Sequence, residues 1–211
     1  EITNFQLIKA ISLLKKKIIL STGMSNMSEI LRTYNYIIRN GISRNMIYVL
    51  QCNTEYPTPF EDVNLNVLKM YKKFFGDNIG YSDHTLGIEA AIASVSLGAK
   101  IIEKHFTLSR KMRGPDHKAS LEPAEFKKMV SSIRNIELAM GSTIKKITKS
   151  EKKNLDIARK SITASKKIKK GEIFTEKNIC IKRPGGGMSP INWFKVLGKK
   201  SKKNYNQDEF I

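Results

Sequence analysis

Four times in succession the chain runs from a short apolar stretch, through a polar loop, into a segment with helical spacing. KIILST at 17–22 leads through GMSNMSE to ILRTYNYIIRNG, where Ile30, Leu31, Tyr34, Ile37 and Ile38 share one helical face. Ser28 is placed to cap that helix and Gly41 to end it. MIYVLQ at 46–51 leads through CNTEYPTPFEDVN to LNVLKMYKKFF at 65–75. NIGYS at 78–82 leads through DHTLG to a helix with Ile88, Ala91, Ile92 and Val95 on one side, before Gly98. AKIIEKHF at 99–106 leads through a long loop to a helix opened by Pro123, running to Gly141 along Phe126, Val130, Ile133 and Met140. Successive strand and helix units require parallel strands with right-handed crossovers, so the predicted class is α/β. Four units suit either an open sheet or half of an eight-stranded barrel.

In both architectures functional groups collect where the strands end. The polar clusters lie there: Ser21 and Thr22, Asn53 to Tyr56, Ser82 to Thr85, and Glu103 to His105. From 142 to 158 the pattern gives way to a lysine-rich connection, STIKKITKSEKKNLDIA. Beyond it, β-like runs (SITA, EIF, ICIKR) alternate with the turn signals KKG, RPGGG and SPI, without a helix of ten or more residues. The expected organisation is an α/β domain at 1–145, a linker at 146–155 and a small, mostly β domain at 156–211.

Composition bears on which partners are reasonable. A formal net charge of +19 suggests nucleic acid, yet the lysines are spread along the chain and none of their runs is interleaved with aromatics. A solvated surface, with an anionic small-molecule substrate contributing, is the preferred reading; nucleic acid is not an expected partner. No apolar run approaches the roughly 20 residues that cross a bilayer, and the first residues do not read as a signal peptide, so the expected compartment is the cytoplasm, with no membrane partner. Cys52 and Cys180 stand far apart and are read as reduced thiols.

Of the three histidines, His84 and His105 each close a strand, so their side chains can converge on one mouth although they are distant in sequence. Two neutral imidazoles, with Asp83 and Glu103 beside them, suit an open transition-metal site of catalytic type. The competing reading has each ring bonding neighbouring backbone. In RGPDHKASLEP, Gly114 and Pro115 set a turn that can present Asp116 to sugar hydroxyls, and in KRPGGG a rigid turn can set Arg183 against a carboxylate or amide carbonyl.

In this order, ILSTGMS, CNTEYPTP, GYSDHTLG, IEKHFTL, GPDHKASLEP and KRPGGGMSP resemble the bacterial sialic acid synthase family, which includes N-acetylneuraminate and N,N'-diacetyllegionaminate synthases. The likeness covers essentially the whole chain. It implies a (β/α)8 TIM barrel followed by a small antifreeze-like (SAF) domain, and condensation of phosphoenolpyruvate with an N-acetylated amino sugar to a nine-carbon 2-keto acid. By the same resemblance the chain carries strands five to eight only. The part of the family that supplies a catalytic glutamate and phosphoenolpyruvate-binding lysines has no counterpart here.

Matched residue by residue, the resemblance makes His84 and His105 catalytic metal ligands for a divalent ion, manganese first, with magnesium or cobalt as alternatives. It makes Ser82 and Thr54 contacts to phosphoenolpyruvate, and Tyr56 and Asp116 contacts to the sugar. It makes Arg183 the residue that reaches the N-acetyl group in the other subunit of a domain-swapped homodimer. The loops GPDHKAS and KRPGGG are closer to the sialic and legionaminic branches than to the pseudaminic branch. The chain alone is expected to be inactive. The alternative from another class is a non-catalytic carbohydrate-binding or regulatory fragment that keeps the SAF domain.

Overall fold

A computed structural model describes residues 1–211, which separate into two units, Glu1–Gly141 and Ser142–Ile211. The first unit opens with a helix that the fourfold pattern does not include. This helix, α1 (Phe5–Leu13), starts at Asn4, whose side chain accepts the Leu7 backbone N–H. The repeats follow as β1 (Ile18–Ser21), α2 (Met27–Arg39), β2 (Ile47–Cys52), α3 (Val67–Phe75), β3 (Ile79–Asp83), α4 (Glu89–Ser96), β4 (Ile101–Lys104) and α5 (Pro123–Met140). The four strands form one parallel sheet in the order β1-β2-β3-β4, the curled sheet of a half-barrel. The fold is α/β, as the alternation predicts.

Local chemistry sets the helix ends. Asn26, not Ser28, caps α2: its side chain accepts the Glu29 N–H while the Glu29 carboxylate accepts the Asn26 N–H. A shared cap of this kind satisfies two otherwise orphaned donors, which leaves Ser28 inside the first turn. Gly41 does follow the end of α2, at φ +85°, where a side chain would be strained. Pro123 opens α5, with Glu122 and Glu125 forming its capping box.

Alternation divides each strand between two environments. Ile47, Val49, Ile79 and Tyr81 face the helices and are buried against Tyr34 and Ile37 of α2 and Leu68, Tyr71 and Phe75 of α3. Each such side chain contributes roughly 1.5–3 kcal/mol through removal of apolar surface from water. The opposite face carries Leu50, Gly80 and Ser82. Gly80 is required there, since a Cβ would stand 2.5 Å from the Ile101 carbonyl oxygen and closer still to the Leu50 side chain.

A second apolar cluster joins α4 and α5 through Ala91, Leu121, Met129 and Ile133. Only Ile133 of the expected α5 stripe is buried; Phe126, Val130 and Met140 are 37%, 37% and 55% exposed. The inward face is the Met129–Ile133 row, one turn apart, and Phe126 packs edge-on against Phe106 instead.

In the second unit, the expected linker is partly helical. Thr148 and Glu151 form a capping box for α6 (Lys149–Lys152), and α7 (Leu155–Ala158) follows directly. The strands β5 (Ser161–Ala164) and β6 (Ile179–Lys182) pair antiparallel, and α8 (Trp193–Val196) is a single turn. The run EIF forms no strand, only the isolated bridge Ile173–Lys200. Ile162, Ala164, Ile168, Phe174, Ile179 and Val196 make the core of this unit. No helix of the chain is long and apolar enough to cross a membrane.

Candidate functional site

The parallel register pairs Ser82 with Glu103 and Asp83 with Lys104, so His84 and His105 follow as the next residues of their strands. Because side chains alternate, Ser82, His84, Glu103 and His105 share the face that carries Gly80. The two imidazoles meet there, ring centroids 5.1 Å apart and nearly perpendicular. This is the convergence that the sequence predicts for them.

His84 is 7% exposed, and its Nδ1 lies 2.6 Å from the Asn53 carbonyl oxygen. A carbonyl can only accept, so Nδ1 is the donor in this contact, and in the neutral ring the lone pair falls to Nε2. Backbone bonding and ligand capacity are therefore compatible in one ring. Asn53 supplies its main-chain oxygen, a contribution that no side-chain pattern announces. His105 is more open, with its Nδ1 4.0 Å from Asp116 Oδ2. The Leu121 N–H donates to the His105 carbonyl and so ties the return of the long loop to the end of β4.

Tyr56 closes one side of the mouth, its ring 4.3 Å from His84 and 5.4 Å from His105. Burial pushes its hydroxyl above the ordinary tyrosine value, as do Cys52, Asp116 and Glu103 nearby. Ser82 is buried and its hydroxyl donates to Glu103 Oε1 at 2.6 Å, with His84 Nε2 3.5 Å away. Thr54 is exposed at the rim, against Gly23, where a Cβ would collide with its hydroxyl. Arg183 belongs to the second unit, exposed, its Nε donating to the Ala158 carbonyl at 3.1 Å.

The structure corrects one neighbour. Asp83 does not stand beside the histidines: it points to the helix-facing side of the sheet, where Lys104 Nζ lies 3.0 Å from it. The reason is the alternation that puts His84 in the mouth. Cys52, by contrast, comes to within 4.0 Å of His84 Nδ1. Burial is the largest influence on this thiol and pushes it up, with Ser82 pulling the other way.

No group of three or more His, Cys, Asp or Glu side chains gathers as a ready-made metal cage. Two imidazoles, one with a carbonyl behind its Nδ1 and its Nε2 turned toward the Ser82 hydroxyl, are a donor pair of the type that suits a divalent transition-metal ion. That donor set fits an open site and does not fit a closed structural one.

A profile described as the NeuB family matches residues 1–145, and one described as the SAF domain matches residues 159–211. The chain is 54% identical over 211 residues to N,N'-diacetyllegionaminic acid synthase of Campylobacter jejuni, covering 100% of this chain and 63% of that protein. It is 35% identical over 207 residues to the enzyme of the same name from Legionella pneumophila, covering 97% of this chain and 58% of the relative. In the solved N-acetylneuraminic acid (sialic acid) synthetase of Leptospira borgpetersenii, 33% identical, the match has a TM-score of 0.66 and covers 72% of this chain and 53% of that one. The chain thus spans about three fifths of the curated relatives it matches. By its profile match and its identity to these synthases, the chain belongs to the NeuB family and carries an SAF domain after the NeuB portion.

Proposed function

We propose that residues 1–211 form the sugar-holding and ion-holding portion of a nonulosonate synthase, with the sheet corresponding to strands five to eight of a (β/α)8 barrel. The observation that carries this reading is the gathering of His84, His105, Tyr56 and Asp116 in one mouth at the strand ends of a NeuB-family sheet. The reaction joins the enol carbon of phosphoenolpyruvate to the aldehyde carbon of an open-chain N-acetylated amino sugar. Water adds to the former enol carbon and phosphate departs by C–O cleavage, leaving a nine-carbon 2-keto acid.

His84 and His105 would hold the divalent ion, manganese first. When bound, such an ion supplies Lewis-acid polarisation of a carbonyl oxygen. The Asn53 carbonyl takes the His84 Nδ1 proton as a hydrogen bond, so in the neutral ring Nε2 would be the nitrogen that holds the ion. Asp116 accepts from sugar hydroxyls at the rim, and the Tyr56 ring forms a wall against which the sugar is oriented. Ser82, through its hydroxyl, and Thr54, from the rim, meet phosphoenolpyruvate. Orientation of both substrates is worth roughly 7–11 kcal/mol of barrier in well-arranged cases. Arg183 serves the N-acetyl group of the sugar in the partner subunit of a domain-swapped homodimer. The metabolite substrates agree with a cytoplasmic reaction. The 54% identity to a relative named N,N'-diacetyllegionaminic acid synthase favours the 2,4-diacetamido sugar over N-acetylmannosamine as acceptor.

The test compares phosphate release from phosphoenolpyruvate with each sugar, by the 211-residue chain alone and by the chain fused behind the remaining portion of the Campylobacter relative. Turnover by the fusion, abolished in His84→Ala/His105→Ala, and none by the chain alone, is the expected result. Sugar binding by the chain that is indifferent to Mn²⁺ and to both histidines, with no turnover in the fusion, would favour a carbohydrate-binding fragment and overturn the proposal.

A further inference from the structure

Behind the two histidines lies a pair of charges that the proposed chemistry leaves unused. Asp83 and Lys104 are register partners at the ends of β3 and β4, and each immediately precedes one of the histidines. Their side chains are 0% and 1% exposed, with Lys104 Nζ 3.0 Å from Asp83 Oδ2. The other carboxylate oxygen, Oδ1, accepts the Thr85 N–H at 2.9 Å, the Thr85 hydroxyl at 2.8 Å and the Tyr81 hydroxyl at 3.2 Å. Lys104 Nζ also donates to the Thr85 carbonyl at 2.5 Å. The pair thereby holds Thr85, the residue after His84, by its N–H, its carbonyl and its hydroxyl.

A buried ion pair is a poor choice for stability alone. Its desolvation offsets most of the attraction, and apolar residues of similar volume are often equally stabilising. What it supplies is geometric demand, since two desolvated charges tolerate little displacement. A displacement here moves the histidines directly, because each is one peptide unit from a member of the pair.

We infer that Asp83 and Lys104 are positioning residues: together with Thr85 they lock the end of β3 to the end of β4 and so maintain the 5.1 Å approach of the His84 and His105 rings. The inference deepens the proposed function, since its chemical consequence rests on the two rings sharing an ion. The geometric part stands without any ion.

The experiment uses two readouts on the 211-residue chain. The nuclear Overhauser effect between ring protons of His84 and His105 reports their approach with no metal present, and titration with Co²⁺ followed by its visible spectrum reports shared ligation. Asp83→Asn/Lys104→Met removes both charges together and so leaves neither unpaired. The expected result is a variant with native circular dichroism, no ring-to-ring effect, and Co²⁺ binding weakened by about tenfold or more, the scale of outer-shell changes. A folded double variant that keeps the effect and binds Co²⁺ within about twofold of the parent overturns the inference, since that falls below the outer-shell range.

If the double variant does not fold, Thr85→Val takes its place, since it removes one hydrogen bond and leaves both charges paired. A weakened ring-to-ring effect then supports the inference and an unchanged one overturns it. A parent chain that shows the effect yet takes up no Co²⁺ refutes the metal reading alone, and the variants' ring-to-ring effect still decides the positioning role.

Discussion

Replacing Gly80 with alanine should weaken the sheet just below the site. The new methyl would stand 2.5 Å from the Ile101 carbonyl oxygen, 3.1 Å from Ile101 Cβ and nearer still to Leu50 Cδ2. Ordinary carbon contacts lie at about 3.5–4.0 Å, so the overlap with the carbonyl is on the order of 1 Å. The Leu50 side chain can turn aside, but the carbonyl is backbone and moves only if β3 and β4 separate. Overpacking of this kind costs about 1–3 kcal/mol. For a unit of this size each kcal/mol lowers Tm by roughly 2–4 °C, so a fall of about 2–12 °C is expected. Thermal unfolding followed by circular dichroism measures it. A double-mutant cycle with Leu50→Ala should recover only part of the penalty, because that change relieves the side-chain clash and leaves the carbonyl in place. Residues in contact couple by about 0.5–3 kcal/mol. A Gly80→Ala Tm within about 1 °C of the parent would refute the reasoning, as would full recovery in the cycle.

Other outcomes follow from particular groups. Asn26→Ala removes the α2 cap and should destabilise the first unit by about 1 kcal/mol, read from urea unfolding, whereas Ser28→Ala should have little effect. Burial holds the hydroxyls of Tyr34, Tyr71 and Tyr81 above the ordinary tyrosine value. The folded chain therefore keeps protons that the unfolded chain gives up near pH 10. Their contribution is complete below that pH and is lost as pH rises, so the urea midpoint should fall from about pH 10 upward; a flat midpoint to pH 11 contradicts this. The Cys52 thiol, also pushed up by burial, should react with iodoacetamide more slowly at pH 8 than after urea unfolding, with mass spectrometry following that cysteine.

Much of the first unit was legible because its signals are local and repeated. Apolar runs that give way to polar loops, followed by helical spacing, identify β1 to β4 and α2 to α5 without knowledge of register. Where long-range packing decides, the sequence was less informative. Several apolar rows coexist on α5, so spacing alone does not single out the Met129–Ile133 face that packing selects. The run EIF has strand-like composition but meets Lys200 at a single bridge. The lysines of the 146–155 segment suggest a linker, while Thr148 and Glu151 carry the capping signal for α6.

In the site, the histidines were legible because each closes an apolar run. Adjacency in sequence sets Asp83 beside His84, but strand alternation sends neighbours to opposite faces of the sheet. Its partnership with Lys104 depends on the β3–β4 register, which residue pattern alone does not disclose. The Asn53 carbonyl gives no side-chain signal at all.

The central claim is that two imidazoles at the ends of β3 and β4 share one divalent ion. Titration of the 211-residue chain with Mn²⁺, followed by electron paramagnetic resonance of the free ion, tests it most directly. One saturable site is predicted, weakened at least about tenfold by His84→Ala or His105→Ala, a lower bound taken from outer-shell effects, and absent in the double variant. Mn²⁺ binding of unchanged affinity in the double variant would contradict the account.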